Sequence, residues 1–343
     1  MRAPVGFIIF NRPDVTARVF SEIARARPRK LLVIADGPRP TKAGEAEQCA
    51  AARAIIERVD WDCEVLKNYS NVNLGCGRGP ATGLRWVFDQ VEEAIILEDD
   101  CVPHPTFFRF CDELLDRYRD DQRVMHISGN NFLGTSRGAF SYSFSCYSLS
   151  WGWATWRRAF QYYDPAIRLW PKLRDTSWLL DNLGDIRAVE YWKKIYDLSH
   201  TSIDNVNTWD FQWLFATWAH RGLSILPNTN LVSNIGFRED ATHTRGATNR
   251  LANLPRSEII FPLKHPVVVA RNKKVDRAIF ERLVLPPRPT IYDRLRRRCA
   301  AGLPDTLRRS LSLPSLLWSH LSRSGRMLLI CSAAEIVARL QIS

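Results

Sequence analysis

No hydrophobic stretch in this chain approaches the ~18 apolar residues of a membrane-spanning helix; the longest runs, 5–10 and 327–334, fall far short. No secretory leader is expected either. The first apolar run is interrupted by Asn11-Arg12-Pro13, with no small-residue cleavage site, so the expected compartment is the cytoplasm. No CxxC pair or zinc-finger Cys/His spacing occurs. Eight Cys in 343 residues make no disulfide scaffold and read as small buried apolar residues. Internal repeats and low-complexity tracts are also lacking. What is present, 45% hydrophobic and 24% charged residues, is ordinary globular composition. The length suits two domains, or one large α/β domain with appendages.

Charge is uneven. The formal net charge is +12. Residues 288–343 hold ten Arg, no Lys and three acids (Asp293, Asp305, Glu335), a net of +7. The high pI therefore describes a tail, and no nucleic-acid partner is expected for the main domain. A boundary is expected near Pro286, leaving 1–286 as the main domain and 287–343 as a basic amphipathic tail. Leu313, Leu316, Leu317, Trp318 and Leu321 can form the apolar side of an interfacial helix flanked by Arg294 and Arg296 to Arg298. Such a segment suits peripheral contact with anionic lipid at the inner membrane face, or it is a solvated extension.

Along the chain, short β-rich runs at 5–10, 30–35, 63–69 and 94–97 alternate with helical patterns up to residue 118. A glycine-rich loop, 73–79, is expected to run into Pro80 and a helix. This alternation predicts an α/β fold with a mostly parallel central sheet flanked by helices. In such sheets ligands bind at the carboxyl ends of the strands. Asn11, Arg12, Asp36 and Glu98 to Asp100 all follow strand ends, so four segments converge on one edge. From 124 the pattern becomes mixed. Nine of the twelve Trp fall between Trp151 and Trp218, which marks 124–286 as an aromatic-rich acceptor half beside a nucleotide half, 1–123.

Glu98, Asp99 and Asp100 end a buried-looking strand. Adjacent carboxylates repel and raise one another's pKa unless a cation is near, and carboxylate oxygens suit Mg²⁺ or Mn²⁺ together with substrate phosphates. An acidic turn facing solvent is the plainer alternative. Asp36 can accept from a ribose or base, or close an ordinary turn. Arg12 can pair with a phosphate or stack on a base, or lie on the surface. The 73–79 loop is neither a Walker nor a Rossmann motif; Arg78 within it is a candidate nucleotide contact. Asp210 is expected in the first turn of a helix ending at Arg221-Gly222. There it either complements the helix dipole or takes a proton as general base. Trp151, Trp153, Trp156, Trp209 and Trp213 can stack on sugar faces, although most should be core. His243 is a candidate metal or diphosphate contact.

The order of Asn11-Arg12, Asp36, then ILEDD followed by Pro105-Thr-Phe-Phe resembles nucleotide-sugar glycosyltransferases of the GT-A fold. Within these it is most similar to the N-acetylglucosaminyltransferase family that initiates complex N-glycans and to its bacterial sugar-transferase relatives. WGWATW and TWDFQW look like the bacterial members, and the similarity spans about 4–240. The resemblance implies an inverting transfer from a UDP-sugar with Mn²⁺ to a glycan or lipid-linked acceptor. Asp100 would ligate the metal, Glu98 and Asp99 would contact ribose, sugar or water, and Arg12 with Asp36 would hold the nucleotide. It also places a catalytic Asp in a Trp-Asp context like that of Asp210. From the residues alone a retaining outcome stays open. Two rivals remain: a metal-dependent nucleotidyltransferase, which would release pyrophosphate, and a non-catalytic glycan-binding relative, which would turn over no donor.

Overall fold

The structure, a computed structural model, describes residues 1–134, 139–237 and 251–283. His243 and the 287–343 tail, with its expected lipid contact, lie outside the described residues. The first half alternates as read: β1 (Val5–Ile9), α1 (Pro13–Ala26), β2 (Lys30–Ala35), α2 (Glu45–Ala54), β3 (Glu64–Tyr69), α3 (Gly75–Gln90), β4 (Glu93–Glu98), β5 (Cys101–Pro103) and α4 (Pro105–Arg117). The second half adds β6 (Val124–Ser128), β7 (Tyr142–Ser145), β8 (Trp153–Trp156), β9 (Leu223–Pro227) and β10 (Val232–Asn234), with helices between β8 and β9 and a further helix, Lys273–Leu283.

Eight strands form one sheet in the order β3-β2-β1-β4-β8-β6-β9-β7. Strands β1 to β4 are mutually parallel. Strand β8 runs antiparallel to both β4 and β6, so β6 points the same way as β4, and β9 lies parallel to β6. The carboxyl ends of β1, β2, β4, β6 and β9 therefore share one edge. The remaining pair, β5 and β10, makes a two-stranded antiparallel sheet just past the end of β4. This is the expected α/β class, with the central sheet continuous through both halves of the chain.

The continuous apolar character of β1, β2 and β4 follows from burial on both faces. Alternation sends Phe7, Leu31, Val33, Ile95 and Leu97 to the layer formed by α1 and α4, with Val19, Ile23, Phe107 and Leu114. It sends Leu32, Ile34, Ala94 and Ile96 to the opposite layer, with Leu84, Val87, Trp153 and Trp213. Among the described residues no helix is long and apolar enough to cross a membrane.

One local expectation is corrected. The glycine-rich 73–79 segment is loop only to Leu74; α3 begins at Gly75 and carries Pro80 inside it. No local side chain caps this helix. Asp36, far upstream, accepts from Leu74 N at 2.8 Å and Gly75 N at 2.9 Å, satisfying the donors a helix start leaves open. The tryptophans follow the expectation that most of them are core. Trp153, Trp156, Trp209 and Trp213 are buried in the core, and only Trp151 of the five stays partly exposed.

Trp213 Nε1 donates to His126 Nδ1 at 3.1 Å, so the other ring nitrogen, Nε2, carries the proton given to Leu149 O at 3.0 Å. Trp153 stacks on the same imidazole at 5.1 Å. Burial pushes His126 down to about 3, so the folded protein keeps it neutral while the unfolded chain protonates it below about 6.5. Its contribution is full above that value and shrinks as pH falls toward about 3, at ~1.4 kcal/mol per pH unit. Urea unfolding at pH 7 and pH 5 should show this loss in the wild type and a shallower one in His126→Phe. Equal slopes in both proteins would reject the assignment.

Candidate active site

Strand β1 delivers Asn11 and Arg12 to the carboxyl edge, and Pro13 opens α1 immediately after. The Arg12 guanidinium turns back onto the exit of β4, donating to Asp100 Oδ2 at 2.8 Å and pairing with Asp99. All three groups are largely buried: the Arg12 side chain is 19% exposed, Asp99 4% and Asp100 7%. Burial alone would lower the Arg12 pKa, but the two carboxylates hold it above its ordinary value. Burial raises Asp99 to about 6 even with Arg12 opposing that rise.

Glu98 belongs to the opposite face of β4. There Trp209 Nε1 donates to Glu98 Oε1 at 3.2 Å. Asp210 opens the helix Asp210–Ala219, in the first turn as expected, and accepts from Thr208 Oγ1 at 2.6 Å. Burial first, and then the charges of Asp100, Asp210 and Asp99, raise Glu98 to about 8. Cys76, in the first turn of α3, is pushed up by burial and by Glu98, Asp210 and Asp100. The structure thus gathers Glu98, Asp99, Asp100 and Asp210 into one electrostatic cluster at the sheet edge, with Arg12 as the cation set against Asp99 and Asp100.

The other expected nucleotide contacts sit around this cluster and are engaged by the chain itself. Asp36 Oδ1 accepts from Gly37 N and Leu74 N, and Oδ2 from Gly75 N and Asn73 Nδ2 at 3.0 Å. Arg78 Nε donates to Asp204 Oδ1 at 2.9 Å in an exposed two-pronged pair. Asn11 Nδ2 donates to Glu45 Oε1 at 2.9 Å. In this arrangement Asp36 and Arg78 shape the rim: one fixes the start of α3, and the other ties α3 to the short turn Ile203–Val206 that leads into Asp210.

Two residues near the acids had no such signal in the sequence. Strand β10 pairs Asn234 with Cys101, which brings Asn234 Nδ2 to 3.5 Å from Asp100 Oδ1. Gly236 follows. A Cβ at this position would lie 2.0 Å from Asp100 Oδ2, so only glycine leaves the carboxylate its place. Among the described residues no three His, Cys, Asp or Glu side chains are grouped so as to hold a metal ion by themselves. Mg²⁺ and Mn²⁺ are commonly held by one or two carboxylates with substrate phosphates completing the shell.

No family model and no curated protein sequence matches the chain. Among solved structures it is similar to TarS residues 1–349 of S. aureus, at 13% identity and a TM-score of 0.37, over 68% of this chain and 60% of that one. It is also similar to mouse xyloside xylosyltransferase 1 in its apo form, at 10% identity and a TM-score of 0.35, covering 65% of this chain and 84% of that one. A third, UDP-glucose pyrophosphorylase complexed with UDP-glucose, matches at 10% identity and a TM-score of 0.28, over 64% of this chain and 98% of that one. The chain spans about three fifths of the TarS structure.

Proposed function

We propose that the chain is a metal-dependent glycosyltransferase with a GT-A-like fold that moves a hexosyl or N-acetylhexosaminyl group from a nucleoside-diphosphate donor, a UDP-sugar, to a glycan or lipid-linked acceptor. The observation that carries this reading is the acidic cluster of Glu98, Asp99 and Asp100 at the exit of β4, joined by Asp210 from a separate helix. Four carboxylates drawn together in a largely buried edge call for more positive charge than one guanidinium supplies.

Asp100 would hold a divalent cation, which when bound would neutralise charge growing on the departing diphosphate, and Glu98 would contact ribose, sugar or metal-bound water. Asp99 is committed to Arg12 and fixes the turn that presents Asp100. Asp210 accepts the proton of the acceptor hydroxyl as that oxygen bonds to the anomeric carbon. The bond from that carbon to the diphosphate oxygen breaks in the same displacement, and the configuration inverts. No enzyme nucleophile is required. Base assistance of this kind contributes typically ~10²–10⁴-fold.

Titration calorimetry with UDP, with and without Mn²⁺, is the direct test. Binding that depends on the metal, together with nucleoside diphosphate release from one of a panel of UDP-, GDP- and dTDP-sugars, is the expected outcome. Absence of metal-dependent UDP binding, or release of pyrophosphate instead, would overturn the reading.

A further inference from the structure

The segment from Ile259 to Val275 lies outside the sheet and carries Lys264, Arg271, Lys273 and Lys274 with no Asp or Glu. Ile259 and Leu263 are buried in the layer that holds Phe107 and Leu114. Ile260, Val267 and Val268 do the opposite. At 79%, 90% and 65% exposed they are the three most exposed large hydrophobic side chains among the described residues. Single apolar side chains in water are ordinary; the three extremes falling on one acid-free segment mark an interaction surface.

The backbone around them is pinned. Ile259 N donates to Thr106 Oγ1 at 3.2 Å, Lys264 N to Ser141 Oγ at 2.9 Å and Asn272 N to Phe144 O at 2.8 Å. These bonds and the two buried anchors hold Ile260, Val267 and Val268 outward, away from the chain's own core. Charge is the second observation. Among the described residues no ion pair engages Lys264, Lys273 or Lys274, whereas Arg271 is committed to the buried Asp276. The Arg109 guanidinium, from α4, lies 3.9 Å from the centre of the Phe261 ring and adds a cation next to Ile260. The bordering acids are Glu258, just before the segment, and Glu113, 3.4 Å from His265 Nε2.

We propose that the 259–275 segment is a docking surface for an anionic lipid bilayer, with Ile260, Val267 and Val268 entering the headgroup region and Lys264, Lys273 and Lys274 meeting lipid phosphates. Apolar tips flanked by cations are attracted to such a surface by both terms, and lysine stems reach past the tips while their ammonium groups stay in water. Lys is depleted at protein–protein interfaces, which favours lipid over a protein partner. The segment continues from the candidate active site: Ser257 N donates to Asn230 O at 2.7 Å, and Asn253 N donates to the carbonyl of Asn234, the residue beside Asp100, at 3.0 Å. A lipid-linked acceptor would be met at this surface. That consequence rests on the transferase reading; vesicle binding does not.

The test is sedimentation of the full chain with phosphatidylcholine vesicles, with and without phosphatidylglycerol. Binding should require phosphatidylglycerol and weaken as salt rises. Val267→Ser with Val268→Ser should weaken it about tenfold, and Lys273→Ser with Lys274→Ser about 25-fold, at about fivefold for each lysine. All four side chains are exposed, so both variants should keep the near-ultraviolet circular dichroism and the UDP affinity of the wild type. Hydrogen exchange on the full chain gives the location: the vesicles should slow exchange across 266–270. No phosphatidylglycerol-dependent binding, wild-type vesicle affinity in either double variant, or unchanged exchange of 266–270 would overturn the surface. A dimer that the valine substitutions abolish, with no vesicle binding, would assign the segment to a protein contact instead. Vesicle binding without metal-dependent UDP binding would keep the surface and remove the transferase reading; the reverse pattern would remove the surface alone.

Discussion

Asp100→Asn is expected to lower sugar transfer by about 10³-fold, the equivalent of ~4 kcal/mol at 1.36 kcal/mol per factor of ten, while the protein remains folded. The substitution keeps the shape of the side chain and an oxygen that can accept from Arg12, and Arg12 retains Asp99 as its charged partner. The apo fold gains some relief, because Asp100 is, after burial, the first of the charges that raise Glu98. What is lost is the anionic oxygen at the exit of β4, and with it the gain in UDP affinity that a metal would provide under the proposed function. Near-ultraviolet circular dichroism should match the wild type, and calorimetry should show UDP binding that no longer responds to Mn²⁺. Transfer within tenfold of the wild type would remove Asp100 from the metal site.

Much of this edge was legible because the physics behind it is local. Parallel strands buried on both faces must be apolar throughout, so the runs that became β1, β2 and β4 stood out, and the acids just beyond Leu97 could be placed at a strand exit. Asp210 was legible for a similar reason: the apolar spacing of Phe211, Leu214, Phe215 and Trp218 set the helix phase, and Arg221 at φ 56° with Gly222 ends it. The features that escaped depend on distant partners. The start of α3 is fixed by a carboxylate from the end of β2, so the glycines read as loop. The pairing of β5 with β10 joins three-residue strands more than a hundred positions apart, and without it neither Asn234 nor Gly236 can be placed beside Asp100. The WATW tetrad was open to sugar stacking as well as to the core expected of most of these Trp, and it is β8, inserted antiparallel between β4 and β6 with both Trp buried. Indole serves core packing and ligand stacking equally well, so sequence alone did not separate the two uses.

Asp210→Asn is expected to cut kcat by about 10²–10⁴-fold, the span of general-base assistance, with the affinity for UDP and metal close to that of the wild type. The split between turnover and binding is what distinguishes a base from a structural acid. An amide oxygen still accepts from Thr208 Oγ1, so the start of the helix Asp210–Ala219 keeps its local bond. Losing the charge at a helix N-terminus costs only about 0.3–1 kcal/mol of stability, too little to unfold the chain. Removing one negative charge also lets Glu98 ionise more readily, which works against any loss of metal affinity. A purely structural role would instead lower the melting temperature and the bound fraction together, leaving turnover per bound donor intact. Product analysis by NMR gives a second reading of the same group. A base acting in a single displacement yields the inverted anomer, and a retained anomer in the wild-type reaction would show that Asp210 does not act as that base.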